Sequence, residues 1–293
     1  MRREERIMPE KKTNALISID FDGLSEPAKA LIEKVSGAVG CLFEPTHKRR
    51  IAKANADVAL IEAQSEIQIT DLHRRAAQRW LNEEAQRQKN IEDITKQAIP
   101  HLAENTDASK VDNDWITNFF DKARIISDAE MQELWARVLA GEANSPGNYS
   151  KRTVNALGGI DKNDAALFIK LCSFCGILGG ITPLILDLND KIYSENSLTF
   201  LNLTHLDSIG LINFNDITGF RRIGLPKIIS IQYYGKPLYL TMPKDSDNEL
   251  DIGKVILTKI GKELVPTCVS QPVDGFIEYI RNKWSAFSPS DSI

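Results

Sequence analysis

The chain has 293 residues, of which 42% are hydrophobic and 26% charged, and a formal net charge of -4. These proportions suit a globular chain long enough to bury a core without disulfides or metal, and they exclude collagen-like, disulfide-scaffold and wholly disordered classes. An isoelectric point of about 5.7 excludes a molecule that binds nucleic acid by bulk charge alone.

Residues 1–24 form an expected flexible arm, charged at its start and lacking the apolar run of a secretory signal. Ser25-Glu26-Pro27 then opens a helix, with Ser25 as cap and Pro27 in the first turn. Ala30, Leu31, Val35, Ala38, Val39 and Leu42 give it an apolar face, and Pro45 ends it. This fits a packing helix better than a membrane-surface or docking helix.

Ile51 to Ala98 contains neither Gly nor Pro and is rich in helix formers. Ile51, Ala54, Val58 and Ile61 are spaced as a coiled-coil seam, which drifts through Ile69, Leu72, Ala76 and Trp80 toward a 3.6-residue stripe. A long helix follows, with a break expected near Thr70-Asp71. Ile51, Ala54, Val58, Ile61, Ile69 and Leu72 are its candidate oligomerisation residues. The arm and residues 25–103 would therefore precede a polar linker, Glu104 to Asn113, with a helical core over 114–190 and a distinct domain over 191–293.

In the core, Trp115, Ile116, Phe119, Phe120, Ala123 and Ile126 predict an aromatic-faced helix after Asp114. Ser127 and Glu130 have capping-box spacing, and Met131, Leu134, Trp135, Val138 and Leu139 follow at helical intervals up to Gly141. Ser150 should cap Lys151–Leu157, and Asp161 a very apolar helix through Leu178. Ile169 to Leu186 approaches membrane-spanning length, but Lys170, Gly179-Gly180 and Pro183 favour a buried helix that breaks at the Gly pair. Leu157-Gly158-Gly159 and Leu178-Gly179-Gly180 both resemble helix stops.

The last hundred residues alternate helix and short strand. A helix over Leu198–Ile209 is stopped by Gly210, and a strand opens at Leu211-Ile212. A hairpin turns around Tyr234-Gly235-Lys236, and a strand over Val255–Leu257 follows. Helices are expected over Lys259–Val265, capped by Thr258, and from Val273 to about Phe287. The expected fold is thus mainly α, with a long N-terminal helix, a helical core and a winged-helix-like α+β C-terminal domain.

No chemical signature stands out. Cys172-Ser-Phe-Cys175 has CxxC spacing, but it lies in an apolar run with no second pair and no nearby His, so buried thiols explain it better than redox chemistry or zinc. Cys41 and Cys268 add no disulfide framework, which favours a reducing, cytoplasmic setting. His47, His73, His101 and His205 are scattered, and no nucleophile elbow, phosphate loop or dinucleotide fingerprint occurs. Glu142 suits a helix-end structural carboxylate better than a general acid or base. Ser150-Lys151-Arg152 suits capping better than anion binding. No cofactor or metal is expected.

Candidate phosphate contacts are Lys48, Arg49 and Arg50 near the long helix, and Arg221, Arg222 and Lys227 in the wing. Leu198–Ile209, the expected recognition helix, has no Arg or Lys.

The segment SDAEMQELWARVLAGEANSPGNYSKRTVNALGGIDKNDAALF, Ser127 to Phe168, resembles a bacterial family known as domain of unknown function 2806. EPTHKRRIAKANAD, RQKNIEDITKQA and ILTKIGKEL are similar to other parts of it. The resemblance implies no established activity and no catalytic residue. It implies a bacterial chain from mobile or defence-related gene regions. The expected role is a non-enzymatic interaction or assembly protein, acting as a homo-oligomer or with a protein partner, in an antiviral defence or stress system. A winged-helix nucleic-acid-binding regulator is the alternative, and an unrecognised hydrolase the second alternative. Membrane contact is not expected.

Overall fold

The computed structural model describes residues 23–40 and 71–287. Helix α1 (Glu26–Val39) has Pro27 in its first turn and buries Ala28, Leu31, Ile32 and Val35. It ends at Gly40, in the left-handed conformation, whose N–H donates to Ser36 O. Ser25 occupies the cap position without a side-chain bond. Leu42, Pro45, the basic cluster Lys48-Arg49-Arg50 and the seam residues Ile51, Ala54, Val58, Ile61 and Ile69 lie outside the described residues.

Helix α2 (Asp71–Ala98) buries only Asn90, Ile91, Ile94, Thr95 and Ala98, at its C-terminal end. There it packs on α4 (Ala129–Asn144). The polar stretch after it is anchored. Asn144 accepts from Ala103 N–H and donates to His101 O, while Ala108 and Val111 enter the core.

Helix α3 (Asn113–Ala123) starts two residues earlier than expected because Asp112 caps it, accepting from Trp115 N–H. Its aromatic face is buried as expected. Phe119 stacks on Trp115 and meets the edge of Trp135, each with centroids about 5 Å away. Two expectations about α4 are corrected. Asp128 caps it, accepting from Glu130 and Met131 N–H, while the Ser127 hydroxyl contacts Asn90. Gly141 does not end it. The Tyr149 ring packs where a Cβ would stand, so this glycine provides clearance rather than a stop.

Ser150 caps α5 (Lys151–Leu157), as expected. Asp161 and Asp164 form a capping box for α6 (Lys162–Cys172). Gly158 ends α5 with right-handed dihedrals, so the first Gly pair is not a left-handed stop. The helix expected through Leu178 ends at Cys172. Its continuation is strand β1 (Cys175–Ile177), which turns through Gly179 (φ 61°) and Gly180 (φ 146°) into β2 (Ile181–Pro183). A short apolar run has no period to separate helix from buried strand, and here the Gly pair makes a hairpin. No helix among the described residues is long and apolar enough to cross a membrane.

The rest mixes short helices with antiparallel pairs. A single turn, α7 (Lys191–Ser194), leads to α8 (Phe200–Ser208), capped by Thr199 and stopped at Gly210 (φ 78°). Strand β3 (Ile212–Phe214) pairs with β8 (Val255–Leu257), placing Ile212 opposite Leu257. Between them stand β4 (Phe220–Leu225), β5 (Ile228–Tyr233), β6 (Lys236–Thr241) and β7 (Asn248–Gly253). Strands β4 and β7 pair with each other, while β5 and β6 join the first hairpin in the order β2-β1-β5-β6.

Thr258 caps α9 (Lys259–Leu264). The last helix, α10 (Phe276–Lys283), is shorter than expected. The Tyr233 hydroxyl accepts from Val273 N–H, holding the preceding chain out of helix. The described part is mainly helical, with a small antiparallel sheet region in its C-terminal half. One buried cluster runs from Leu31 through Trp135 and Phe174 to Trp284.

Candidate interaction surfaces

Helix α2 leaves the body partway along its length. At 100° per residue, Leu72, Ala76 and Trp80 share an arc of about 100° with Ile91, Ile94 and Ala98. The face buried at one end is therefore the face presented to solvent at the other. Leu72 is 65% and Trp80 60% exposed. Ion pairs within the helix, Arg75–Asp71 at 3.2 Å, Arg79–Glu83 at 3.5 Å and Arg87–Glu84 at 3.4 Å, support the projecting part. Exposed pairs of this kind contribute only a few tenths of a kcal/mol each. Of the expected oligomerisation residues, Leu72 is described and lies on this face. Trp80 was legible in the same stripe, but the seam spacing drew attention to the residues before it.

The three cations expected in a wing do not converge. Arg222 donates to Leu178 O at 2.5 Å and pins the β1–β2 hairpin. Lys227 pairs with Asp245 at 2.7 Å. Arg221 alone faces a cleft of about 990 Å³, where Lys254 and Lys283 join it. These two lysines were missed because they lie far from Arg221 in sequence, and only β7 and α10 bring them together.

The cleft separates β7 and α10 from the segment Leu186–Asn189 and the start of α8. Its cations are already engaged. Lys283 meets Asp190 at 2.8 Å and Asp187 at 3.8 Å, Arg221 meets Glu249 at 3.6 Å, and Lys254 donates to Asp216 O at 2.8 Å. The bond with Lys283, reinforced by the Tyr279 hydroxyl, holds the Asp190 carboxyl below its ordinary range.

The other weighed residues are structural. Glu142, 3% exposed, accepts from Gly147 N–H at 2.7 Å and Tyr149 N–H at 2.9 Å, closing the turn after α4. Burial raises its pKa, and burial also pushes the Tyr149 phenol up to about 12. Glu263 on α9 accepts from Ser150 N–H and from the Thr153 hydroxyl, tying the C-terminal part to the start of α5. This placement leaves Ser150 as a cap rather than an anion site.

Cys172 and Cys175 do not share a helix, which ends between them. The Cys172 thiol lies against those of Cys175 and Cys268. Its bond with Cys175 raises its pKa, and burial adds to this, which is the setting of an inert thiol. His101 pairs with Glu133 at 2.9 Å and His205 with Asp164 at 2.6 Å. Among the described residues no group of three His, Cys, Asp or Glu is placed to hold a metal.

No curated protein and no solved structure matches the chain. The model of one family, described as a protein of unknown function (DUF2806), matches residues 74–281, from the projecting half of α2 to the end of α10. The chain belongs to that family.

Proposed function

We propose that this is an interaction or assembly protein that engages its partner through the projecting half of α2. The observation that carries this is that the helix face buried at Ile91, Ile94 and Ala98 presents a second apolar patch, Leu72, Ala76 and Trp80, to open solvent beyond Glu83 and Arg87. The projecting half gains no stability from packing on the body, and a tryptophan and a leucine on one of its faces supply the anchors of a helix-to-helix contact. The partner is a second copy or another protein of a defence or stress system, the setting implied by the family resemblance, in the cytoplasm that the cysteine usage favours. The missing cations on α8 and the dispersal of Arg221, Arg222 and Lys227 weigh against a nucleic-acid regulator.

Light scattering coupled to size exclusion, read at protein and nucleic-acid wavelengths, tests this reading. The wild-type chain should run as an oligomer or retain a protein partner, free of nucleic acid. Leu72→Glu with Trp80→Glu should abolish that association without moving the urea midpoint, because neither side chain packs in the body. A wild-type monomer that retains no protein would refute the reading. Nucleic acid that co-purifies and leaves at high salt would favour the regulator instead.

A further inference from the structure

We propose, resting on α2 as the assembly helix, that the groove between α4 and α6 receives the projecting half of α2 from a second copy of this chain, with Trp80 as its anchor. The groove holds about 420 Å³ and runs between Glu130–Arg137 of α4 and Lys162–Ile169 of α6, with Thr267 and Val269 at its margin. Met131, Leu134, Ala165 and Ile169 give it an apolar lining, and Val269 stands 59% exposed. Open apolar surface rimmed by polar residues marks a docking site.

Three observations select the occupant. First, the dimensions agree. At a helical rise of about 1.5 Å per residue, the groove is about 10 Å long on either helix, and Leu72 and Trp80 lie about 12 Å apart along α2. Ala76 between them has no bulk to hold the helices apart. A helix lying in a groove places its anchors at such one- and two-turn spacings. A void of about 20 Å³ under the floor shares Leu134, Ala165 and Ile169, so these side chains have space to yield to an indole.

Second, the charges bordering both surfaces are already paired. On the groove, Lys162 meets Glu130 at 2.8 Å and Arg137 meets Glu133 at 2.9 Å. On α2, Arg75 meets Asp71 and Arg79 meets Glu83. Neither surface brings an ion that docking would strand without a partner, so apolar bulk decides what binds. Third, the anchor has to come from another copy. Helix α2 is continuous from Asp71 to Ala98 and is held to the body from Asn90 onward, which leaves Trp80 about 15 Å beyond Asn90. One unbroken helix cannot fold Trp80 back onto its own α4. Each copy therefore gives one anchor and receives one, a contact between unlike surfaces of the same chain.

The test uses the full chain in light scattering coupled to size exclusion. Wild type should run as an oligomer. Ala166→Arg and, separately, Val269→Asp put charge in the groove at exposed positions, and each should weaken self-association at least tenfold with an unchanged urea midpoint. Leu72→Glu with Trp80→Glu keeps the groove, and Ala166→Arg keeps the anchor. An equimolar mixture of these two chains should therefore associate at least tenfold more tightly than either chain alone. Groove variants that associate as wild type does would overturn this inference and leave the α2 reading standing, as would a mixture no tighter than its components. A wild-type monomer that retains a different protein would overturn it in the same way. A wild-type monomer that retains no protein removes the α2 reading and this inference together.

Discussion

Glu142→Ala should destabilise the chain by about 2–4 kcal/mol. The wild-type carboxylate satisfies Gly147 and Tyr149 N–H in a nearly closed site. Orphaning a buried amide costs roughly 1–3 kcal/mol, so two set a range of about 2–6. Alanine also removes a charge that burial disfavours, which offsets part of the loss and places the result in the lower half. Glutamine retains one acceptor oxygen and should cost about half as much. The pH dependence carries a definite sign. A raised pKa means that the folded chain keeps this proton to higher pH than the unfolded chain does. The contribution is therefore fully present below the unfolded pKa and is lost as pH rises through the folded one. Urea unfolding of wild type, Glu142→Ala and Glu142→Gln should be followed by tryptophan fluorescence from acid to neutral pH. The Trp115 indole donates to Tyr149 O at 2.6 Å and reports directly on this turn. The wild-type advantage over Glu142→Gln should shrink as pH rises. A cost below about 0.5 kcal/mol for alanine, or a difference that does not vary with pH, would refute the buried-acceptor reasoning.

Arg221 and Arg222 should separate in equilibrium unfolding. Arg222→Ala loses the bond to Leu178 O and should cost about 1–2 kcal/mol, whereas Arg221→Ala, whose pair with Glu249 is exposed, should stay within about 0.5 kcal/mol. Gly179→Ala should cost about 1–2 kcal/mol, since the position has φ of 61° and the new Cβ would stand 2.7 Å from Arg222 Nη2; an unchanged urea midpoint would count against the hairpin geometry. Asp190→Asn should cost less than about 1 kcal/mol at neutral pH. Because Lys283 holds the Asp190 pKa down, that contribution is present above the unfolded pKa and disappears as pH falls through the folded one, which pH-dependent unfolding of the pair would show.

Helices with sharp caps and an apolar stripe were legible before the structure. Ser150, Asp161 and Thr258 all start helices, and the aromatic face of α3 is buried as its spacing implies. The misreadings arose where two explanations share one signal. Gly141 looks like a stop, and only the Tyr149 ring explains a glycine inside α4. The apolar run after Asp161 has no period that would show where α6 gives way to β1. Strands β4 and β7 were missed because Phe220–Leu225 carries two arginines and a glycine, and Asn248–Gly253 two acids, so neither has the apolar weight of a buried strand. The cleft depends on partners distant in sequence, such as Arg221 with Lys283, and no local pattern announces such a juxtaposition.

The segment between β3 and β8 that supplies one wall of the cleft is, in topological terms, a loop. It leaves β3 at Asn215 and returns at Lys254, where Asn215 N–H donates to Lys254 O at 2.9 Å. Its base is thus closed before any of its own strands begins. Each doubling of a flexible loop's length adds only about 0.6 kcal/mol of closure entropy. The exposed turn at residues 243–247 can therefore change length or charge while the β3–β8 pair keeps its register, whereas β5 and β6 are held by the core through Ile229, Ile231, Leu238 and Leu240. On that side of the cleft the exposed charges of Asp216, Arg221 and Glu249 can change without disturbing the core, whereas the opposite wall is anchored through Ile185.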